Sequence, residues 1–400
     1  MSGGFRRRAA SSPLVQRNVR RWADLRAARR AGTSVVGKAR VRLLIAPVNS
    51  AGQGYAWARA AERLPGVAAT DFMYRNPQDV FAYPADHSVP TVFFRTNRRW
   101  QHAQRRAVER RFTHVIIESG RQVLGTKGDT LEQVRLLRAR GIDVALLWHG
   151  SDIRQPSRHA LEEPDSPFRD GGYPETELLE DIVLRNQRLM REAAAPVFVS
   201  TPDLLAEVEH ATWLPVVVDA ELWRAAAPQA PLQRRRPVVV HAPSNAGLKG
   251  SALIQQTMRS LDTQGVIEYR EVRGVAAAEM PAIYGGADIV LDQFALGIYG
   301  VAACEAMAAG RLVISHVAER TRTIVQERTG RRLPILEASA RTLEATIRRL
   351  SADPTAARVQ AAEGPAFVHA VHDGRRSAEA LRGFLACYDA PGAASTAVGE

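Results

Sequence analysis

Cysteine is almost absent: Cys304 and Cys387 are the only two in 400 residues. So few thiols make no disulfide framework and point to a reducing compartment, with the cytoplasm as the expected location. Long apolar runs are missing too, since none approaches the ~20 residues that span a bilayer. The first residues lack the apolar centre of a secretory signal. No Asp-x-Asp pair closes a strand-like run and no Cys/His group has zinc-like spacing, so neither a metal site nor a bound cofactor is expected.

Acidic residues are scarce in one place. Residues 1–42 hold twelve Lys or Arg against Asp24 alone, nearly the whole net charge of +12. The remainder is close to neutral, which removes the case for a basic nucleic-acid-binding domain. Within the leader, residues 1–40, Val15, Val19, Trp22 and Leu25 recur at helical spacing among arginines. That pattern is either a basic amphipathic helix for an anionic membrane surface or a solvated, partly disordered leader. An Arg-rich, Ser-containing start also has the composition of an organellar transit peptide. Residues 97–112 repeat the theme: Arg98, Arg99, Arg105, Arg106, Arg110 and Arg111 surround an apolar stripe of Trp100, Ala103, Ala107 and Val108. Peripheral membrane contact is therefore a second expectation.

What is present is a balance of 46% hydrophobic and 24% charged residues, that of a globular protein, in a chain long enough for two domains. Apolar runs at 41–47, 91–95, 114–118, 144–148 and 196–200 read as strands, and 55–64 and 131–140 as helices between them. Residues 224–236, rich in Ala, Pro and Arg, read as a linker between an N-terminal domain, 41–223, and a C-terminal one, 237–388, with a tail at 389–400. After the linker the alternation restarts, with strands at 237–242, 266–272, 287–291 and 311–316 and helices at 251–261, 277–284 and 299–309. The fold class is α/β: two doubly wound, Rossmann-like domains with functional loops at the strands' carboxyl ends.

The strand ending at Asp292 runs through Gln293-Phe294-Ala295-Leu296-Gly297-Ile298-Tyr299-Gly300 into a helix. The first amides of that helix, about Gly300 and Val301, lack intrahelical partners and suit a diphosphate. Glu305, a little over one turn in, suits two vicinal ribose hydroxyls. Glu-Ala-Met-Ala-Ala-Gly-Arg-Leu-Val-Ile at 305–314 resembles the donor-site signature of the family-4 (group 1) retaining glycosyltransferases of the GT-B fold. His241-Ala-Pro-Ser-Asn-Ala-Gly-Leu-Lys249-Gly250 is similar to their phosphate loop, and His149-Gly150-Ser151-Asp152 to the loop whose histidine approaches the transferred sugar. Thr201-Pro202-Asp203, Trp213-Leu214-Pro215 and Val218-Asp219 resemble the segments leading to the hinge, so the likeness covers about residues 41–388.

The resemblance implies His149 and Lys249 as catalytic residues. It implies Ser244, Asn245, Lys249, Gly297, Tyr299, Gly300, Val301 and Glu305 around a nucleotide-sugar donor, and Gly52, Gln53 and Gly54 on the acceptor side. A glycan or lipid-linked acceptor hydroxyl would receive the sugar with retention and without metal, and the last helix would cross back to the first domain. There are two departures from the pattern: Gly297 stands where the family has a glutamate, and Ser244 and Asn245 stand in the loop where an arginine precedes the lysine. Asp292 is the candidate to reach the sugar hydroxyls instead. The alternative is a catalytically silent GT-B protein that binds a nucleotide sugar or a partner.

Overall fold

The computed structural model describes residues 26–386 apart from residue 28. The leader's apolar pattern at Val15, Val19, Trp22 and Leu25, together with Cys387 and the tail 389–400, lies outside the described residues. Seven parallel strands form the first sheet: β1 Val41–Ala46, β2 Val67–Arg75, β3 His87–Pro90, β4 His114–Glu118, β5 Asp143–Trp148, β6 Val197–Val199 and β7 Thr212–Trp213, in the order β3-β2-β1-β4-β5-β6-β7. Five parallel strands form the second: β8 Val238–His241, β9 Glu268–Glu271, β10 Ile289–Leu291, β11 Leu312–Ser315 and β12 Leu336–Glu337, in the order β12-β11-β10-β8-β9. The central strands carry the near-continuous apolar runs expected of a sheet covered on both faces, as in Val-Ile-Ile of β4 and Val-Val-Val of β8.

The run at 91–95 is a helix, Thr91–Thr96, not a strand. Pro90 ends β3 and opens this helix, Phe94 is buried, and Val92 is left 69% exposed, so the apolar run has a one-sided helical face and no sheet partner. The strands on that side of the sheet, β2 and the edge strand β3, escape the pattern, β2 because Thr70 and Asp71 interrupt it. Both are buried, and Asp71 accepts the Asp86 amide at 2.7 Å. Helix Arg98–Arg111 forms, but its apolar stripe is no membrane face. Trp100 and Val108 are fully buried, Ala107 nearly so, and Trp100 Nε1 donates to Gly32 O at 2.6 Å. The arginines Arg98, Arg99, Arg106 and Arg110 point outward.

The two sheets are joined through extended residues 214–218, bound from both sides. From helix Gln53–Ala61, Gln53 exchanges two hydrogen bonds with the Val217 backbone and Trp57 Nε1 donates to Pro215 O at 2.8 Å. From the C-terminal side, His372 Nδ1 donates to Val216 O at 2.8 Å and Ser377 Oγ to Pro215 O at 2.8 Å. Helix Arg375–Leu385 then lies against the first domain, with the Phe384 ring centroid 5.1 Å from that of His114 and 6.0 Å from that of Phe198, both in edge-to-face contact. Residues 227–234 pack on the second sheet: Leu232 is buried and its amide donates to Asp288 at 2.7 Å.

Opposite this junction the domains meet at a charged seam. His316 contacts Glu163 across it at 3.2 Å and Glu337 of its own domain at 2.7 Å, while Arg320 pairs with Glu162. The hydrogen bonds to Glu163 and Glu337 push His316 up to about 9 against its burial. A folded-state value above the unfolded one gives a contribution that is complete below about pH 6.5 and disappears as pH rises through about 9. Urea unfolding of the wild type is therefore expected to lose on the order of 1–3 kcal/mol across that window. His316→Gln should be less stable near neutral pH and lack this loss; an unchanged pH slope would show that the seam is not coupled to folding.

Candidate functional site

In an open parallel sheet, ligands bind outside the strands' carboxyl ends where the strand order reverses. The reversals fall between β1 and β4 in the first sheet and between β8 and β10 in the second. The loops leaving β1, β5 and β6 face those leaving β8, β9 and β10 across a cavity of about 310 Å³.

On the C-terminal wall, Ser244, Asn245 and Lys249 follow β8, and Gly300, Val301 and Glu305 follow β10. Gly250 lets these two loops touch. Its φ is +69°, and a Cβ there would lie 2.9 Å from Ala295 Cβ and 3.1 Å from its amide nitrogen. Lys249 Nζ is paired with Asp292 Oδ1. Asp292 is buried behind the lysine, and its Oδ2 has no hydrogen-bond partner. Helix Val301–Ala308 starts on Gly300, beyond which the space is open, so its first amides face the cavity. Burial pushes Glu305 up to about 8, opposed by Lys249 and reinforced by Asp292. With a value of about 8, Glu305 is largely a neutral acid at pH 7.

Gly297 and Tyr299 lie off this cavity. Gly297 has φ +65° and faces the seam, where a Cβ would come within 2.8 Å of Glu163 Oε1. A side chain at 297 therefore meets the opposite domain before it meets a ligand. Tyr299 is buried, its hydroxyl 3.3 Å from His372 Nε2. Because His372 Nδ1 donates to Val216 O, its Nε2 is the acceptor for that hydroxyl, and burial lowers the ring to about 4.

On the N-terminal wall, Asp152 folds the His-Gly loop by accepting the amides of His149 at 2.9 Å and Gly150 at 2.8 Å and the Ser119 hydroxyl at 2.6 Å. The His149 ring stacks on Trp57 with centroids 5.7 Å apart, and its Nε2 lies 3.1 Å from Glu118 Oε1. Glu118, fully buried, also accepts the amides of Val48 at 2.7 Å and Asn49 at 2.9 Å. Burial opposes a charge on His149, but the Glu118 hydrogen bond and charge, with Asp152, prevail and hold its pKa above the ordinary value. Gln53 lines the cavity with its amide committed to Val217. Gly52 and Gly54 shape the turn, closely approached by Tyr83 and Asn49, and the neighbouring Ser50 and Ala51 reach the cavity.

Arg154 joins the site without being among the residues that the sequence singles out. It lies two residues past Asp152, is buried in an ion pair with Asp203, and lines the cavity from the domain opposite the loop that follows β8. Its signal was the pair of an arginine after His-Gly-Ser-Asp and an aspartate after Thr-Pro. Phe81 and Tyr83 also line the cavity, from a loop whose Phe81 carbonyl accepts the Ala277 amide of the second domain at 2.9 Å. Nothing periodic in that loop betrays it.

No protein-family model and no curated protein sequence matches the chain. Solved structures do resemble it. HepE from Anabaena, in complex with UDP and glucose, superposes with a TM-score of 0.57 at 12% identity, covering 86% of this chain and 99% of that one. A glycosyltransferase from Rickettsia africae gives 0.53 at 9% identity over 87% and 98%. Sucrose-phosphate synthase from Thermosynechococcus elongatus gives 0.51 at 15% over 86% and 98%. The fold is therefore GT-B, two Rossmann-like domains facing a cleft.

The geometry fixes how Glu305 should titrate. Its carboxyl carbon, followed by NMR in glutamate-labelled protein and assigned with Glu305→Gln, is expected to titrate near 8. In Lys249→Ala the midpoint should move higher, because the cation that favours the ionised form is gone. A midpoint in the ordinary glutamate range would mean that water reaches the carboxyl freely.

Proposed function

We propose that this protein is a glycosyltransferase that moves a sugar from a nucleoside diphosphate sugar to an acceptor hydroxyl. The observation that carries the reading is one cavity in which Lys249, Glu305 and the open amides of helix Val301–Ala308 face His149. HepE, solved with UDP and glucose, and the Rickettsia glycosyltransferase share the fold, which supports the same chemistry here.

In this reading the diphosphate sits on the amides of Gly300 and Val301, where the helix dipole favours negative charge. Lys249 and the neutral donors Ser244 and Asn245 complete the phosphate site, and Arg154, ion-paired with Asp203, offers guanidinium N–H donors from across the cleft. As the bond from sugar to phosphate breaks, charge grows on the leaving oxygen, and these fixed donors stabilise it without reorganising. Glu305 accepts the two ribose hydroxyls. To do so it must ionise, so donor affinity rises with pH towards about 8. His149, held by Glu118 and Asp152, donates to the sugar on the acceptor side.

Among the described residues Glu305 is the only carboxylate lining the cavity, and it is assigned to the ribose. In this reading retention, which the sequence resemblance supports, proceeds without a glycosyl-enzyme, because no second carboxylate lines this cavity among the described residues; transfer then takes place on the leaving-group face, the acceptor proton passing to a phosphate oxygen. The described residues contain no group of three or more His, Cys, Asp or Glu side chains arranged to hold a metal ion, and Lys249 with the helix amides is assigned the charge that a metal would otherwise meet.

The acceptor is assigned to a glycan or lipid-linked molecule on the cytoplasmic side of an anionic membrane. The outward arginines of helix Arg98–Arg111 and the basic leader support this. No helix among the described residues is long and apolar enough to cross a membrane.

The deciding experiment incubates the protein with UDP- and GDP-sugars, with and without acceptor extracts, and follows nucleotide release. Lys249→Ala should slow turnover while EDTA does not; inhibition by EDTA reversed by magnesium or manganese would reassign the phosphate charge to a metal. Glu305→Gln should weaken UDP or GDP binding by about 1.5–3 kcal/mol in calorimetry. Failure of every nucleotide and nucleotide sugar to bind would overturn the reading. For the membrane, replacing Arg98, Arg99, Arg106 and Arg110 with glutamine should reduce co-sedimentation with anionic vesicles at low salt, whereas equal partitioning to neutral vesicles would remove the surface.

A further inference from the structure

A second cavity, of about 1130 Å³, opens beside the first within the N-terminal domain and shares Ser50, His149 and Ser151 with it. Four arginines line it from three elements: Arg95 at the end of helix Thr91–Thr96, Arg121 on the loop leaving β4, and Arg185 and Arg188 on helix Thr176–Ala193. Arg185 and Arg188 are three residues apart and so share a helix face. Arg95 and Arg121 converge on Tyr74. Burial raises the Tyr74 hydroxyl, while Arg121, hydrogen-bonded to it, and Arg95 pull it back down. The Arg121 charge is also felt at His149, where it opposes protonation.

These charges are not neutralised internally. Among the described residues none of the four arginines forms an ion pair with a carboxylate. Two of the three carboxylates in the wall are committed elsewhere. Asp152 accepts the His149 and Gly150 amides and the Ser119 hydroxyl, and Asp129 caps helix Thr130–Arg138 by accepting the Glu132 amide at 2.8 Å. Only Glu192 is left to offset the guanidiniums. Like charges gathered round one concavity repel each other until an anion joins them, and planar guanidiniums match phosphate oxygens in pairs. Next to them, Leu179, Ile182 and Leu189 give the same cavity an apolar side.

We propose that this cavity is the acceptor subsite and that the acceptor carries a phosphate group, held by Arg95, Arg121, Arg185 and Arg188, which delivers its hydroxyl to the sugar beside His149. The proposal rests on the transferase reading for the role of the bound molecule but not for its binding. The phosphate belongs either to a lipid-linked acceptor, whose chain would follow the leucine side, or to a water-soluble phosphorylated sugar.

The test is calorimetry on the full chain, with UDP saturating the first cavity and again in Lys249→Ala. The probes are octyl phosphate below its micellar concentration, glucose 6-phosphate, and the uncharged octyl glucoside and glucose. At least one phosphate probe should bind more tightly than its neutral counterpart, and Arg121→Gln and Arg188→Gln should each weaken it roughly tenfold with thermal midpoints and UDP affinity unchanged. Binding of octyl phosphate alone assigns the lipid source, and of glucose 6-phosphate alone the soluble one. Phosphate probes that bind no better than their neutral counterparts, or equally well in both arginine variants, overturn the proposal. If UDP, GDP and their sugars all fail to bind while the phosphate probe does, the transferase reading falls and the anion site stands; the reverse result sinks the anion site alone.

Discussion

Five residues of extended chain, Leu214 to Val218, set the distance between the two sheets. The cavity exists because that distance is fixed. Pro215 O accepts from Trp57 and from Ser377, Val216 O from His372, and Val217 exchanges both its backbone groups with Gln53. Each bond joins the connecting segment to one domain, so the segment is held by both. A buried backbone group left unpaired costs about 1–3 kcal/mol; rotation of one domain would break several of these bonds together. One hydrophobic cluster runs through the junction as well, from Leu43 and Trp57 of the first domain to Val290 and Phe367 of the second. The junction is a strong point, and the charged seam of Glu163, His316 and Arg320 is the weaker closure opposite it.

Within that frame, the cleft's chemistry depends on how each acid is matched. Glu118 is satisfied in the interior by two amides and His149, and Asp152 by two amides and a hydroxyl. Asp292 is balanced by Lys249. Glu305 has Lys249 nearby and no hydrogen-bond donor of its own among the described residues, so it holds a proton to about 8. Glu118 and Asp152, which organise loops, are satisfied within the protein, whereas Asp292 keeps one oxygen without a donor and Glu305 its whole carboxyl, and of these two only Glu305 lines the cavity. A ligand with hydroxyls to donate would complete that set.

Much of this was legible in one dimension. The alternation of apolar runs with helical periods gave both parallel sheets, because strands buried on two faces need continuous apolar sequence. Gly300, Val301 and Glu305 could be placed because loops at the carboxyl ends of such strands are where the fold puts ligands, Lys249 and His149 through the family resemblance of their loops, and the tertiary structure gathers all five round one cavity. Less legible were β2, interrupted by a buried Thr-Asp pair, and the run at 91–95, where three apolar residues fit either period.

The sequence by itself determined the class of fold and the order of its loops, since periodicity and glycine placement act over a few residues. Only the tertiary structure decided which side chains face which space. It turned Trp100 and Val108 inward, took Tyr299 to His372 and Gly297 to the seam, and brought Arg154, Phe81 and Tyr83 to the cavity. Residues one position apart on a loop can point in opposite directions, and partners such as Asn245 and Tyr173 lie 72 positions apart in the chain. The direction of a side chain in a loop is fixed by what packs against it, and that information is distributed over the whole chain rather than written beside the residue.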